Sequence, residues 1–420
     1  MMDHTSMIRL VDALVPGARV FVPTMAGESA LLGEELCADP DRAADVTFVG
    51  VQFPGIDRID YVGIHPKARQ LAFFMSPALR RGLAEGRAEL LSADYLGIAR
   101  HLADGPAPDV VIAQLTPPDA AGWCSAGASS DFMPLVWSRA GQRVAHLNPR
   151  LPRTRGSFRV HMNELDFAVE RDADLIDYRE PAVGDVESRI ARHAATLVRD
   201  GDTLQLGIGA VPMALAGALG AHRRLRLHGG IVSASMERLW NAGVLDRDAR
   251  ITAGVILGDA ALRDFAARLE TLWLTDVTRT HGLDGIRASA QGSRFVAING
   301  ALEVDLFGQV NAERVGGRIQ AGAGGLPAFA HAAQALPQAR IVTCVGATTK
   351  TGASRVVAEL GAGSLCSLPR HLVDAVVTEH GVAELGGLGL EARALALIAI
   401  AAPSHRDALA GAWQSLRAAC

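Results

Sequence analysis

Residues 109–127 read Asp-Val-Val-Ile-Ala-Gln-Leu (Asp109–Leu115), then Thr-Pro-Pro-Asp-Ala-Ala-Gly-Trp-Cys-Ser-Ala-Gly (Thr116–Gly127). A short, almost unbroken apolar run rich in Val and Ile, shut off by two prolines, is what a strand buried on both faces looks like. The same grammar recurs along the chain. Arg19–Val22 stops at Pro23, Val46–Val51 runs out before Pro54, and Thr203–Leu206, Phe295–Ile298, Ile341–Val345 and Ala375–Thr378 follow. Between these runs the period changes to that of helices, first after Gly27-Glu28-Ser29 through Leu36, later over Glu187–Val198. Strand and helix in alternation predict an α/β fold with open, largely parallel sheets rather than a sandwich. At 420 residues the chain is too long for one ordinary core. The stretch Asp177–Val186, with Pro181 and Gly184 among charged residues, marks a boundary, giving domains over 1–185 and 186–420. Open α/β sheets bind ligands at the carboxyl ends of their strands, so the interdomain cleft is the expected site.

Hydrophobic residues make up 49% and charged residues 20%, a globular balance. The net charge of -4 provides no basic field for nucleic acid or an anionic membrane. The five cysteines, Cys37, Cys124, Cys344, Cys366 and Cys420, are scattered without a C-x-x-C pair, which argues for a reducing compartment and against a metal site. No apolar run approaches the ~18 residues of a membrane span. Ala394–Ala402 follows Glu391 and Arg393, ends at Pro403 and reads as a buried helix. With no secretory pattern at the start, a cytoplasmic location is expected.

Two glycine-rich loops suit anions. Leu206-Gly207-Ile208-Gly209-Ala210-Val211-Pro212 follows a strand and opens a helix, where exposed amides favour negative charge. The spacing is not that of a dinucleotide fingerprint and there is no Walker lysine, so alone it reads as a tight strand–helix turn. Gly322-Ala323-Gly324-Gly325 permits positive φ and close approach of a ligand, or is simply a flexible loop. Cys124 has no histidine near it in sequence and reads as buried and structural. Glu28 falls where a glutamate usually serves the helix dipole. Glu303 and Asp305 alternate in a strand-like segment, and His228, Glu237, His281, Glu379 and His380 adjoin apolar runs without a spacing that forces a triad or a metal set.

Taken together, TPPDAAGWCSAG (Thr116–Gly127), LQLGIGAVP (Leu204–Pro212), AINGALEVDLFGQVNAE (Ala297–Glu313), GAGG (Gly322–Gly325), SRVV (Ser354–Val357) and VVTEHGVAEL (Val376–Leu385) resemble the acetyl-CoA hydrolase/CoA-transferase family. The resemblance extends from Val20 to Arg406. It implies two α/β domains that hold an acyl-CoA, with coenzyme A as substrate and product, and a homodimer or dimer of dimers. It also implies a glutamate that attacks the thioester and carries CoA as a glutamyl thioester, covalent catalysis in several easier steps. The glycine loops then supply amides to the oxyanions.

The departure lies at that nucleophile. The family's His-Ser-Glu-Met-like segment is here His228-Gly229-Gly230-Ile231, so Gly230 stands at the position of the glutamate. The family's glutamine after GxGG is Leu326, and an upstream asparagine aligns with His281. The expectation is an acyl-CoA or carrier-protein thioester enzyme without a glutamyl-CoA intermediate. Gly207, Ile208, Gly209 and Gly322–Gly325 would polarise the carbonyl, and His228 or His281 would serve as general base. The alternatives are a conventional transferase with a displaced carboxylate, such as Glu28 or Glu237, and a relative that binds without catalysis.

Overall fold

The computed structural model describes residues 8–418, so Cys420 lies outside the described residues. The chain forms two compact units. The first comprises residues 8–93, Gly97–Tyr178 and Gly254–Val277; the second comprises Asp94–Leu96, Arg179–Ala253 and residues 278–418. The chain thus passes into the second unit at Arg179 and returns to the first for Gly254–Val277.

In the first unit β1 (Arg19–Phe21), β2 (Thr47–Gly50), β3 (Arg69–Ala72), β4 (Ala88–Leu90), β5 (Val110–Leu115), β6 (Gln142–Leu147) and β7 (Phe167–Glu170) form a seven-stranded sheet in the order β4-β3-β2-β1-β5-β6-β7. Every pair in it is parallel. All six residues of β5 are buried, as the run DVVIAQL predicts. Ser29 accepts a hydrogen bond from the Leu32 amide and so caps the helix Ala30–Ala38. That helix packs Leu31, Leu32 and Leu36 against Val20, Phe48, Val110, Ile112 and Val144 of the sheet.

In the second unit β8 (Thr203–Leu206), β9 (Arg226–Leu227), β10 (Phe295–Gly300), β11 (Arg340–Cys344), β12 (Ala375–Thr378) and β13 (Gly381–Glu384) form a six-stranded sheet ordered β9-β8-β10-β11-β12-β13. Its pairs are parallel except the last, where β13 folds back antiparallel along β12. Ala297, Ile341 and Val376 of this sheet share a core with Phe329 and Ala333 of helix Leu326–Gln334, Ala394 and Leu397 of helix Leu390–Ile400, and Trp413 of helix Arg406–Arg417. The strand β9 lies on one side of β8 and β10 on the other, so loops leaving β8 and β10 diverge and open a crevice at their carboxyl ends. Among the described residues no helix is long and apolar enough to cross a membrane.

Candidate active site

The loop Gly207–Gly209 leaves β8 at that crevice. Gly209 holds φ 115°, a backbone region that side chains strain to adopt. Gly207 instead faces Asn299, whose Oδ1 lies 3.7 Å from the position of a Cβ. Asn299, near the end of β10, exchanges two amide hydrogen bonds with Gln205 of β8, at 2.8 and 3.2 Å. Gln205 in turn lines Gly229, its Cγ 3.6 Å from the Cβ position there. The Gly209 amide donates to Glu180 Oε2 at 2.7 Å, at the start of helix Ala210–Ala218.

His228 follows β9 and is 1% exposed. Its Nε2–H donates to the Thr280 carbonyl at 2.7 Å, which leaves Nδ1 to accept from the Ser289 hydroxyl, also at 2.7 Å. Burial pulls its pKa down to about 4, opposed by the Thr280 carbonyl. Both ring nitrogens are therefore committed to the protein, and the expected role of general base has no lone pair to work with. His228 instead holds the turn that begins helix Leu283–Ser289 and positions Thr280.

Gly230 and the Gly322–Gly325 loop meet through one imidazole. A Cβ on Gly230 would lie 2.9 Å from His281 Cε1, and a Cβ on Gly325 would lie 2.4 Å from His281 Nε2. Neither glycine adopts positive φ, so space rather than backbone freedom requires glycine there. The His281 ring stands between Tyr95 and Phe329, with centroids at 4.4 and 4.6 Å, and its Nδ1 is 2.8 Å from Thr280 Oγ1. Burial, with His228 adding to it, drives the His281 pKa to about 3, so the ring is neutral across the working range. The Gly324 carbonyl accepts from the Tyr95 amide at 3.0 Å, which pins the loop beside that aromatic stack. Leu326 is buried as the helix Leu326–Gln334 begins. Gly207, Ile208, Gly209 and Gly322–Gly325 stay half-exposed.

The remaining candidates do not join this group. Glu28 belongs to the first unit and is 4% exposed. Its two oxygens accept from the Arg58 amide at 3.1 Å and one also from Ile59 at 3.3 Å, while burial raises its pKa. It also lines a cavity of ≈ 680 Å³ with Leu36, Arg58 and Ile176. Glu237 sits in the first turn of helix Ala234–Asn241, suited to the helix dipole. Cys124 is fully buried against Met162, with its thiol pKa raised, the opposite of an activated nucleophile. Glu303 binds Asn311 and Ser364, and Asp305 binds the turn at Phe307–Gln309, so both are structural. Glu180, Tyr95, Thr280, Gln205 and Asn299 enter the site without having been marked in the sequence. Gln205 and Asn299 carried a signal, since each sits within two residues of a strand's carboxyl end.

Residues 258–413 match the acetyl-CoA hydrolase/transferase C-terminal domain. Over 412 residues the chain is 30% identical to the 4-hydroxybutyrate coenzyme A transferase of Clostridium kluyveri, covering 96% of this chain and 95% of that protein. It is 31% identical to a succinyl-CoA:acetate/propanoyl-CoA:succinate CoA transferase of Fasciola hepatica, covering 94% and 84%. The crystal structure of 4-hydroxybutyrate CoA-transferase from Porphyromonas gingivalis superposes with a TM-score of 0.79 at 26% identity, over 98% and 96% of the chains. RipA from Yersinia pestis shares the fold, with a TM-score of 0.87 at 24% identity over 97% and 96%. The chain belongs to the acetyl-CoA hydrolase/CoA-transferase family of enzymes.

Proposed function

We propose that this enzyme processes acyl-CoA thioesters by direct attack on the thioester carbonyl, by water or an acceptor, with no glutamyl-CoA intermediate. The observation that carries the reading is the His281 imidazole packed 2.9 Å from the Cβ position of Gly230. A glutamate side chain at 230 has no room in that arrangement, and glycine cannot attack a carbonyl. The backbone amides of Ile208 and of the Gly322–Gly325 loop supply donors to the developing oxyanion, each worth roughly 3–4 kcal/mol in comparable sites, while the Gly207 and Gly209 amides are held by Ile298 and Glu180. His281, neutral and buried, shapes the pocket wall and keeps water from the flank of the thioester rather than taking a proton from it.

The test is thiol release from a panel of acyl-CoA substrates, with and without carboxylate acceptors, followed by borohydride treatment and intact-mass analysis. Thiol release with no glutamyl-CoA adduct is the expected result. A CoA thioester trapped on Glu28, Glu180, Glu237 or another glutamate means a conventional transferase with a displaced nucleophile. No turnover of any CoA thioester, with no thermal stabilisation by CoA, means a different ligand such as a carrier-protein thioester, or a binding protein.

A further inference from the structure

The open side of the glycine turn carries a polar side chain with a donor to spare. A Cβ on Gly207 would meet Asn299 Oδ1 and nothing else within 4 Å, and Cβ positions on Gly209 and Gly300 meet nothing at all. Asn299 therefore stands at the edge of free space, half-buried, one residue before β10 ends. His228, by contrast, is spent on Thr280 and Ser289, and Glu180 holds the Gly209 amide. Gln205 and Asn299 face one another head to tail, each amide giving one N–H and accepting one. A carboxamide carries two N–H donors, so this reciprocal pair leaves Asn299 with one over. Nothing else among the described residues bonds the Asn299 side chain. The pair is anchored on its inner side, because Gln205 is 3% exposed on β8, between β9 and β10. Two bonds to a buried partner fix the plane of the Asn299 amide before any ligand arrives, as a donor to developing charge requires.

We infer that Asn299 is a catalytic residue of this enzyme: its second Nδ2–H donates to the carbonyl oxygen of the bound thioester, and Gln205 is the positioning residue that aims it. This role rests on the acyl-CoA reading above, but not on which group attacks. As the attacking atom bonds to the carbonyl carbon, the C=O π pair moves onto oxygen and the Asn299 N–H hydrogen bond tightens on that charge. No proton leaves the carboxamide. When the tetrahedral adduct collapses, the pair returns to the C=O bond and the C–S bond breaks with its electrons on sulfur, so CoA departs as the thiolate. The carboxamide does not titrate, so the donor is present at every working pH.

Two unreactive CoA analogues read the contact without turnover: the ketone in which a methylene replaces the sulfur of acetyl-CoA, and S-ethyl-CoA, which has no carbonyl. Wild type, Asn299→Ala and Gln205→Met are titrated with both by calorimetry, alongside thiol release from acetyl-CoA and succinyl-CoA. Wild type should bind the ketone about tenfold tighter than the thioether, the worth of one or two hydrogen bonds to the carbonyl. Asn299→Ala should cut that preference by about threefold or more, and lower kcat by about 100-fold with KM little changed. Gln205→Met keeps the donor but frees its plane, so it should lose part of both. A merely structural role would lower the thermal midpoints of the two variants alike and leave the ketone preference intact, which overturns the proposal. Equal affinities for the two analogues in wild type overturn it as well. Where a single variant does not fold, Gln205→Met/Asn299→Ala replaces it, since that pair strands no amide, and an undiminished ketone preference there has the same force. Wild type that binds neither analogue sinks the acyl-CoA reading and this one together. A ketone preference lost in Asn299→Ala, with a glutamyl-CoA adduct trapped by borohydride, supports Asn299 and removes only direct attack.

Discussion

Gly230, His281 and Gly325 behave as one steric unit, because each glycine is needed by the same ring. Gly230→Glu forces a side chain into His281 and should cost about 1–3 kcal/mol by overpacking. Replacing His281 with Asn in the same chain clears the space, so the double variant should recover most of that loss, a coupling of about 0.5–3 kcal/mol. Urea midpoints of the two single variants and the double variant measure this. Strictly additive losses would show that the imidazole does not occupy the space in solution. The double variant is also the one expected to give a trappable glutamyl-CoA, since Gly230→Glu alone leaves the new carboxylate no room. His228-Gly229-Gly230 shows glycine where the family resemblance leads one to expect a glutamate, yet the imidazole packed against Gly230 is not legible there. His228 and His281 drew notice because imidazole titrates near neutrality, but desolvation pulls them to about 4 and about 3, and no feature of the sequence reports burial of that depth.

At the scale of the element, two serine caps with the same local chemistry differ in what lies behind them. Ser76 accepts from the Leu79 amide at 3.2 Å and caps helix Pro77–Ala84, and nothing more is asked of it. Ser29 caps Ala30–Ala38 in the same way, but its hydroxyl also reaches His146 Nδ1 at 2.9 Å, both side chains being fully buried. The other nitrogen, Nε2, donates to the Arg171 carbonyl at 2.8 Å, so this Ser–His pair is a strut, with Nδ1 as its acceptor. Ser76→Ala should cost about 1 kcal/mol. Ser29→Ala also strands a buried acceptor and should cost about 1–3 kcal/mol beyond that, read as the difference between their thermal midpoints. Equal losses would mean that the His146 bond contributes nothing. The elements themselves were legible where both faces are buried. All seven apolar runs became strands of the two sheets, with β5 the clearest. The strands β3, β4, β6, β7, β9 and β13 were not read from the sequence: Arg-Gln-Leu-Ala, Ala-Glu-Leu and Gln-Arg-Val-Ala-His-Leu mix polar residues into short runs, which dilutes the apolar signal whether or not the positions are buried. The glycine loops announced themselves through punctuation. Tyr95 and Glu180 did not, since one comes from the three-residue segment Asp94–Leu96 and the other from a Pro- and Gly-containing linker, and only long-range packing brings them to the loops.

At the scale of the whole molecule, the two units carry opposite pH sensitivities in their most shifted carboxyls and imidazoles. In the first unit, burial raises Asp57 and Asp131 to about 7, with Glu28 adding to Asp57 and Asp276 to Asp131. A carboxyl raised in the fold binds its proton more tightly there than when unfolded, so its contribution is full below about pH 4 and is lost as pH rises through 7. In the second unit, His228 and His281 are lowered, so their contribution is present above about pH 6.5 and is lost as pH falls toward 4 and 3. His146 in the first unit and Asp305 in the second are shifted in the opposing sense, less strongly. Hydrogen exchange followed separately in β5 and β10 should therefore show the first unit gaining protection relative to the second between pH 7.5 and 5. Parallel changes in both would contradict this assignment.

Gly254–Val277 closes the first unit although it is made after most of the second unit's glycine-turn segment. Domains usually finish in the order in which they leave the ribosome. Here the amino-terminal unit stays incomplete until residue 277 has been synthesised, and by then β8 and β9 already exist. Biosynthesis is consequently interleaved: the nascent chain must carry an open first unit through much of translation, and a ribosome stalled between residues 178 and 254 presents apolar surface that only a later segment can cover.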